Sequence, residues 1–323
     1  MGSNAKGALF ALLAFGVYAT HDAVVKYLGG SYSSFQIVFF FVLFSFPLAV
    51  LTIIGDPKPG TLMPVHPRWV AVRTVAAMTS GISAFYAFTA LPMAQAYAIL
   101  FATPLIVTVL AIPLLGETVR IRRWAAVLVG LAGVMIVIRP GQAELGPGHI
   151  AALLAATGAA VSAVVMRRIS HDERPVVLLL YPMIGNLVVM SIMLPFVYVP
   201  MPVAHLGLLA CMAALGWTAG LIMIRAYRAG EAVVVAPMQY SQIIWAAIFG
   251  LLIFNETPDG GTALGAGVII ASGIYIVLRE GRSSASATRP ALGTRARPES
   301  PAAPRASLLQ VFSRRPEPED HEA

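Results

Sequence analysis

Ten long apolar runs divide this sequence, and they limit its fold more than any other feature. A helix needs about 20 apolar residues to cross a bilayer, and most of the runs reach that length. Hydrophobic residues make up 58% of the chain and charged residues only 11%, which is more apolar surface than a soluble domain buries. We therefore predict an all-α, polytopic membrane protein. Its ten transmembrane helices are expected at residues 7–26, 35–54, 69–91, 94–115, 124–138, 148–166, 175–199, 203–227, 232–254 and 262–278.

The second half of the chain repeats the first. The fourth run is followed by Glu117-Thr118 and by a run that ends Gly133-Val-Met-Ile-Val-Ile-Arg139, and the same order returns at Glu256-Thr257 and Gly273-Ile-Tyr-Ile-Val-Leu-Arg279. Two related halves that meet around a central site are typical of secondary transporters. The predicted units are five-helix repeats at 7–140 and 146–280, followed by a disordered cytoplasmic tail at 281–323 that is rich in Ser, Ala, Pro and Arg.

The basic residues predict the orientation of the helices, because cytoplasmic loops collect Lys and Arg. One side of the predicted topology holds only Lys26 and Arg139. The other side holds the tail and Lys6, Lys58, Arg68, Arg73, Arg120, Arg122, Arg123, Arg167, Arg168, Arg174, Arg225 and Arg228. We expect a multi-pass protein of a bacterial inner membrane with both termini in the cytoplasm. Five spans per half make the second half an inverted copy of the first.

The net charge is explained by the same loops. A formal charge of +7 would favour nucleic-acid binding in a soluble protein, but here the basic residues follow the membrane topology. The expected partners are the lipid bilayer and a small-molecule substrate, with no nucleic acid. We expect a monomer or a homodimer.

Asp22 is the sharpest candidate for chemistry, because it lies near the end of the first run beside His21. An ionisable residue at membrane depth is costly and normally faces a partner or a watery cavity. Asp22 would neutralise a cationic group of a substrate or bind a coupling proton. Alternatively, Lys26 lies four residues further on and would form an ordinary helical ion pair with it. The aligned position of the second half holds Ser162, so the repeat does not require the charge.

Polar and aromatic residues cluster in the fourth and ninth runs and predict a substrate site. Amides and phenols in hydrocarbon need partners, and a cavity that hydrogen-bonds and stacks on a flat solute would use them. Interhelical hydrogen bonds are the alternative. Aromatic residues in the third and eighth spans would add walls or would contact lipid. The candidate substrate-binding residues are Asp22, Tyr86, Gln95, Tyr97, Trp217, Gln239, Tyr240, Gln242 and Trp245.

Glu117 and Glu256 end the fourth and ninth runs and are paired by the repeat. Each is predicted to cap the helix that follows it, through that helix's free backbone N–H groups, with gating as the alternative role. Pro104 and Pro237 interrupt the same two runs. They permit kinks, which transporters need and which static bundles also show.

The sequence contains few of the motifs that are typical of enzymes. No H-E-x-x-H, G-x-S-x-G or Walker sequence occurs in the 323 residues, so ATP-driven transport by this chain alone is not expected. The single cysteine, Cys211, excludes an intramolecular disulfide and most thiolate metal sites. We expect no catalytic residue, no metal and no cofactor.

The two halves, each closing with an apolar run, Glu, a short loop and a Gly-containing last helix, resemble the EamA branch of the drug/metabolite transporter superfamily over about residues 7–279. The segments most similar to its S-adenosylmethionine uptake transporters are 19–29, 34–40, 236–240 and 254–259. The resemblance implies a secondary transporter that moves a small polar metabolite across the inner membrane by alternating access. Phe41 departs from the pattern, because relatives usually carry Arg at that place.

Uptake of S-adenosylmethionine fits the candidate residues. Asp22 would face the sulfonium or amino group, while the adenine would be held by Tyr240, Trp245 and either Gln239 or Gln242. Riboflavin uptake is the alternative, with the flat ring stacked and Asp22 used for protons, and export of amino acids or other metabolites is a third possibility within the fold. Outside this class, a membrane-embedded enzyme or assembly subunit would be marked by a lateral lipid opening beside a His or Asp pair.

Overall fold

The computed structural model describes residues 3–54, 61–116, 121–139, 145–230 and 232–283. The elements in these ranges are the helices α1 Ser3–Gly29, α2 Ser34–Ile54, α3 Pro67–Ala90, α4 Met93–Leu100, α5 Thr103–Leu115, α6 Ile121–Ile138, α7 Pro147–Ile169, α8 Pro175–Val197, α9 Val203–Ala229, α10 Ala232–Val235, the 3₁₀ helix η1 Ala236–Tyr240, α11 Ser241–Phe254 and α12 Gly260–Ser283. The tail predicted from residue 281 lies outside the described residues from residue 284 onward.

Ten apolar segments of this structure are membrane spans. Eight are long and apolar enough to cross a bilayer by length and composition, and two shorter apolar helices, Trp124–Ile138 and Gly260–Tyr275, close the two halves. The predicted all-α fold of ten transmembrane helices is confirmed.

The fourth and ninth spans are broken near their middle instead of forming one helix each. In the fourth span, α4 ends in a turn at Phe101 and Ala102 before α5 begins. In the ninth span, η1 separates α10 from α11. Pro104 lies in the first turn of α5, after the first break, and Pro237 lies in the first turn of η1, which is itself the second break; in a first turn the missing proline N–H costs no hydrogen bond.

The two broken spans follow the repeat closely. Phe101 lies 16 residues before Glu117, and Tyr240 lies 16 residues before Glu256, so the two breaks occupy equivalent positions. Both spans also end in a left-handed residue, Gly116 with φ of 69° and Asn255 with φ of 54°. Gly and Asn are the residues that best tolerate this helix-ending conformation.

The helices pack in pairs that relate one half to the other. Helix α1 packs against α9, and α3 packs against α7 in the reciprocal arrangement. Helix α2 packs against its counterpart α8, α4 against α11, and α6 against α12. Such pairing follows from a two-fold relation between the halves, and it brings α1, α4 and α11 together in the middle of the bundle.

The two helices that close the halves, α6 and α12, cross at backbone contact. A Cβ added to Gly265 would lie 2.6 Å from the carbonyl oxygen of Gly133, and a Cβ added to Gly133 would lie 3.0 Å from the carbonyl oxygen of Gly265. Only glycine permits this approach, because helix backbones separated by side chains are 8–10 Å apart.

The two ends of the bundle differ in charge. We call the end where α7 finishes and α3 and α8 begin the basic end, since it carries Arg168 and Arg174. The other end, where α1 and α6 finish and α9 and α12 begin, is called the opposite end, and it holds Lys26 and Arg139.

Candidate functional site

Asp22 is the centre of a buried polar chain that joins three helices. Its side chain is almost completely buried, with the residue 1% exposed. The Tyr97 hydroxyl of α4 donates a hydrogen bond to Asp22 Oδ2, and His21 Nδ1 lies 2.8 Å from Asp22 Oδ1. Gln242 of α11 donates to the Tyr97 hydroxyl at 3.5 Å. The predicted residues Asp22, Tyr97 and Gln242 are thus brought together.

Aromatic rings surround this polar chain. Tyr97 packs between Phe88 and Phe101, with ring centroids 5.0 and 6.0 Å away. Phe101 in turn meets the predicted site residue Tyr240 edge-to-face at 5.1 Å. Phe101 and Tyr240 are repeat-equivalent residues at the two helix breaks, so the breaks bring equivalent aromatic rings into contact. A carboxylate within an aromatic enclosure is a favourable setting for an organic cation.

The two halves differ at the position of Asp22. The aligned residue Ser162 lies in α7 and is completely buried, and its hydroxyl oxygen has no hydrogen-bond partner among the described residues. The buried charge is therefore present in one half of the repeat only.

Lys26 does not pair with Asp22, so that local explanation of Asp22 is wrong. Its ammonium lies 2.8 Å from Glu256 Oε1 and donates to the carbonyl oxygen of Leu91 at 2.6 Å. It also lies 5.4 Å from the centroid of the Phe254 ring. Spacing along one helix cannot reveal these partners, because all three come from other elements.

Glu256 caps a helix of the other half instead of the helix that follows it. Its Oε2 accepts a hydrogen bond of 3.0 Å from the backbone N–H of Met93, the first residue of α4. Helix α12 is instead capped by Asp259, whose Oδ1 accepts from the Thr262 N–H at 2.7 Å. Glu117 lies outside the described residues, so its predicted role stays a prediction.

The remaining predicted residues of the ninth span are Gln239, Trp245 and Tyr240, and the latter two pack against α1 and α12. Gln239 is half-buried on η1. The indole of Trp245 packs on α1, since a Cβ added to Gly16 would lie 3.1 Å from it, and it stacks with Phe249 at 6.1 Å. Tyr240 is buried, with its hydroxyl against Gly273 of α12.

Three further predicted residues are not members of the hydrogen-bonded chain of Asp22, Tyr97 and Gln242 described above. Gln95 Nε2 is 3.0 Å from His149 Nε2, and Gln95 lines a pocket of about 470 Å³ at the opposite end beside Glu256. Tyr86 is 40% exposed on α3. The indole nitrogen of Trp217 is buried and has no hydrogen-bond partner among the described residues. Substrate roles for these three residues stay predictions.

Arg73 is a buried cation, although the charge count groups it with the basic residues of the cytoplasmic side. It lies inside α3 and is 4% exposed. Its Nη1 donates to the carbonyl oxygen of Leu178, and its Nη2 lies 3.7 Å from the sulfur of Met166. A signal for its burial exists in the sequence, because Val70, Arg73 and Ala77 recur at helical spacing and share one face.

Several polar contacts between the halves lie at the opposite end, among them the Met93–Glu256 and Gln95–His149 contacts described above. Besides the pair formed by Lys26, Arg139 Nη2 lies 2.7 Å from Asp259 Oδ2, and the Tyr32 hydroxyl lies 2.6 Å from His205 Nδ1. Gln36 donates to the carbonyl oxygen of Val199 at 2.7 Å and accepts from its N–H at 2.9 Å. Contacts also cross at the basic end, where the His66 N–H donates to Glu173 Oε1 at 2.5 Å.

The described part of the chain contains no group of three or more His, Cys, Asp or Glu side chains placed to hold a metal ion. The described site offers a carboxylate, amide and phenol groups, and aromatic faces.

A helical bundle of two related halves, with an ionisable residue buried where they meet, is the architecture of a membrane transporter. The EamA-like transporter family matches the chain twice, at residues 5–139 and 146–279. The chain belongs to this family, which makes it a multi-pass membrane transporter protein.

Curated relatives of the chain differ in solute and in direction. It is 27% identical over 281 residues to the S-adenosylmethionine uptake transporter of Rickettsia prowazekii (strain Madrid E), covering 87% of this chain and 95% of the relative. It is 28% identical over 227 residues to the riboflavin transporter of Rhizobium johnstonii, covering 68% and 74%. It is 26% identical over 276 residues to the pseudopaline exporter CntI of Pseudomonas aeruginosa (strain UCBPP-PA14), covering 84% and 95%.

The fold itself recurs among solved structures. One crystal structure superposes with a TM-score of 0.56 at 18% sequence identity, covering 84% of this chain and 97% of that chain. At this identity the likeness concerns the fold alone.

Proposed function

We propose that this chain is a secondary transporter of the bacterial inner membrane that takes up S-adenosylmethionine by alternating access. The observation that carries the proposal is Asp22, a carboxylate buried between α1, α4 and α11 and held by Tyr97 and His21. A buried carboxylate is retained in a membrane protein when it does work there, because its desolvation is costly.

The surroundings of Asp22 favour a cationic solute over a neutral one. A sulfonium or ammonium group gains from a carboxylate and from aromatic faces at the same time, and Tyr97 with its neighbours Phe88 and Phe101 supplies those faces. The adenine would stack on Tyr240 and Trp245 and hydrogen-bond to Gln239 or Gln242. In the conformation seen here the Tyr97 hydroxyl donates to Asp22 Oδ2, and the substrate would bind beside this hydrogen bond, which holds the carboxylate in place.

The contacts at the two ends suggest how access would alternate. The polar contacts at the opposite end cross between the halves, and they would have to break for a solute to enter from the side on which Lys26 and Arg139 lie. The positive-inside rule makes this the extracytoplasmic side, with both termini in the cytoplasm. The broken fourth and ninth spans supply the joints, because a helix bends where its hydrogen-bond ladder is interrupted.

Riboflavin uptake and metabolite export are the alternative functions. They are considered because a riboflavin transporter and a pseudopaline exporter are among the relatives of the chain. If the solute were a neutral flavin, Asp22 would bind a coupling proton instead of a cationic group of the solute. An exporter would use the same site in the other direction.

The test is uptake of radiolabelled S-adenosylmethionine into bacterial cells that express the chain, beside vector controls and beside labelled riboflavin. We expect accumulation of S-adenosylmethionine that falls to the vector level in Asp22→Asn at equal membrane expression. Asp172→Asn is the matched control, since Asp172 is a surface carboxylate paired with His66 at 3.2 Å. Accumulation of riboflavin alone would move the assignment to the flavin. Undiminished uptake by Asp22→Asn would remove this carboxylate from the mechanism.

Coupling is read in the same assay with an uncoupler added. Loss of accumulation would indicate that protons drive uptake. Should neither solute accumulate, the spent medium is analysed for metabolites enriched by expression, which would indicate export.

A further inference from the structure

We infer that Arg73 is the binding group for a carboxylate on the transported solute, in a pocket separate from the polar chain of Asp22. The pocket lies between α2, α3 and α8 and encloses about 550 Å³ of empty space, its open mouth included. Arg73, Phe41, Gly81, Phe85 and Asn186 are among its lining residues.

Arg73 lacks the partner that a buried guanidinium normally has. Its two contacts among the described residues are a carbonyl oxygen of Leu178 and the thioether of Met166, neither of which carries a full negative charge. Its Nε is buried and has no hydrogen-bond partner there. A cation that is 4% exposed at membrane depth is costly unless an anion neutralises it. A bound carboxylate would do so, and the planar guanidinium suits it with two parallel hydrogen bonds.

Asn186 is a second unsatisfied polar group in the same pocket. It lies in the middle of α8, and its Oδ1 is buried without a hydrogen-bond partner among the described residues. Its oxygen would accept a hydrogen bond from an amino group, while its amide N–H₂ would donate to a carboxylate. Two unsatisfied groups of complementary kind facing one cavity point to a ligand that carries both a carboxylate and an amine.

The pocket and the Asp22 site share a wall. Phe41 and Phe85 line the pocket, and both rings also contact the His21 imidazole, with centroids 5.1 and 6.1 Å away. His21 in turn holds Asp22. The pocket would thus hold the carboxylate and amine of a solute, and Asp22, on the other side of one aromatic wall, would hold a second cationic group such as a sulfonium. This selectivity deepens the proposed function and rests on it only for the choice of S-adenosylmethionine as the first probe.

Gly81 allows the pocket to be closed without disturbing Arg73. A Cβ added to Gly81 meets no atom within 4 Å, so Gly81→Leu extends into open space and fills the pocket. Arg73→Lys keeps the positive charge but loses the two parallel N–H donors of the guanidinium. Arg73→Gln keeps a donor for the Leu178 carbonyl but loses the charge. If Arg73→Gln fails to fold, Gly81→Leu and Arg73→Lys still test the assignment.

The experiment measures ligand affinity from thermal stabilisation of the purified full chain in phosphatidylcholine nanodiscs. The probes are S-adenosylmethionine and its decarboxylated analogue, together with methionine and methioninamide, so that each pair differs in the carboxylate. We expect the wild type to bind the carboxylate-bearing member roughly tenfold to a hundredfold more tightly, as for a charge-assisted hydrogen bond. We expect Arg73→Gln to abolish that preference, Arg73→Lys to reduce it, and Gly81→Leu to weaken binding of both members.

Each result decides the inference separately from the proposed function. Uptake of S-adenosylmethionine with a carboxylate preference that is equal in wild type and Arg73→Gln would overturn the inference and leave the function standing. An Arg73-dependent preference for methionine over methioninamide, without S-adenosylmethionine uptake, would support the inference and overturn the substrate assignment. If thermal stabilisation of the chain required Arg73 and added phosphatidylglycerol but no ligand with a free carboxylate, the site would bind a lipid headgroup, and the inference would be overturned.

Discussion

Lys26 of α1 and Glu256, which follows α11, form an ion pair of 2.8 Å between the two halves of the repeat. The second oxygen of Glu256 accepts the N–H of Met93 at the start of α4. The Glu256 carboxylate therefore binds both α1, which carries Asp22, and α4, which carries Tyr97, and it links them to the loop before α12. These are the elements that must separate if the site is to open towards the opposite end.

Breaking this ion pair should open that end. We expect Lys26→Ala to raise labelling of a cysteine introduced at Ala94, which is 6% exposed and lines the pocket beside Glu256, by a membrane-impermeant maleimide. The native Cys211 is exposed, so the background carries Cys211→Ser. Asp172→Asn breaks the His66 contact at the basic end and serves as the control. Equal labelling in all three proteins would show that the ion pair does not hold the end closed.

Tyr97→Phe tests the hydrogen bond to Asp22 without removing the ring. A hydrogen bond to a charged group contributes about 1.5–3 kcal/mol, so we expect transport to fall by roughly tenfold or more, with membrane expression unchanged. Tyr275→Phe, on an exposed residue of α12, is the matched control. Transport by Tyr97→Phe at the wild-type rate would mean that the hydroxyl only satisfies Asp22 in the resting conformation.

Gly265→Ala should destabilise the crossing of α6 and α12. The new methyl group would lie 2.6 Å from the Gly133 carbonyl oxygen, and a backbone atom of a packed helix cannot yield as a side chain does. We expect a cost of about 1–3 kcal/mol, the range for overpacking, seen as a lower midpoint of thermal unfolding in detergent. Gly267→Ala on the same helix meets no atom within 4 Å and should leave the midpoint unchanged or slightly raised. Equal midpoints for the two variants would contradict the close crossing.

Asp259 gives a pH dependence at the opposite end. Hydrogen bonds from Thr262, with a smaller contribution from the Arg139 cation, lower the pKa of this carboxyl below its ordinary value of 3.8. Its contribution to folding is then fully present above about pH 4 and is lost as the pH falls through the lowered pKa of the folded state. We expect Asp259→Asn, which still caps α12, to show a weaker fall in unfolding midpoint than the wild type when the pH drops from 5 to 3. Parallel curves for the two proteins would show that this carboxylate does not titrate with folding.

The fold was predictable because the hydropathy of each run and the repetition of the same motif can both be read directly from the sequence. Run lengths fixed the ten spans, and the recurrence of Glu-Thr after the fourth and ninth spans fixed the two halves. The prolines at 104 and 237 marked where those spans are interrupted, but their exact break points depend on the packing of Phe101 and Tyr240 against each other.

The site was predictable only in part, because its partners come from distant positions. Asp22, Tyr97 and Gln242 were all candidates, yet no spacing rule joins residues 75 and 145 positions apart. The same limit made Asp22, the helical neighbour of Lys26, one candidate partner for it, whereas its observed partner Glu256 is 230 residues further along the chain. Arg73 was counted with the basic residues of the cytoplasmic side, although it lies within the predicted span 69–91, because charge was counted without asking which face of α3 it occupies.

The replacement of Asp22 by Ser162 in the second half has a consequence for energetics. In a perfectly symmetric repeat, the inward-open and outward-open conformations would be images of each other and equally populated without a membrane potential. A charge held in one half alone removes that equality, since the carboxylate is solvated differently in the two conformations. Without solute, the transporter should therefore prefer one of these two conformations. The rate at which the unloaded carrier returns should then differ from the rate at which the loaded carrier changes conformation, and the preferred conformation decides which of the two is slower.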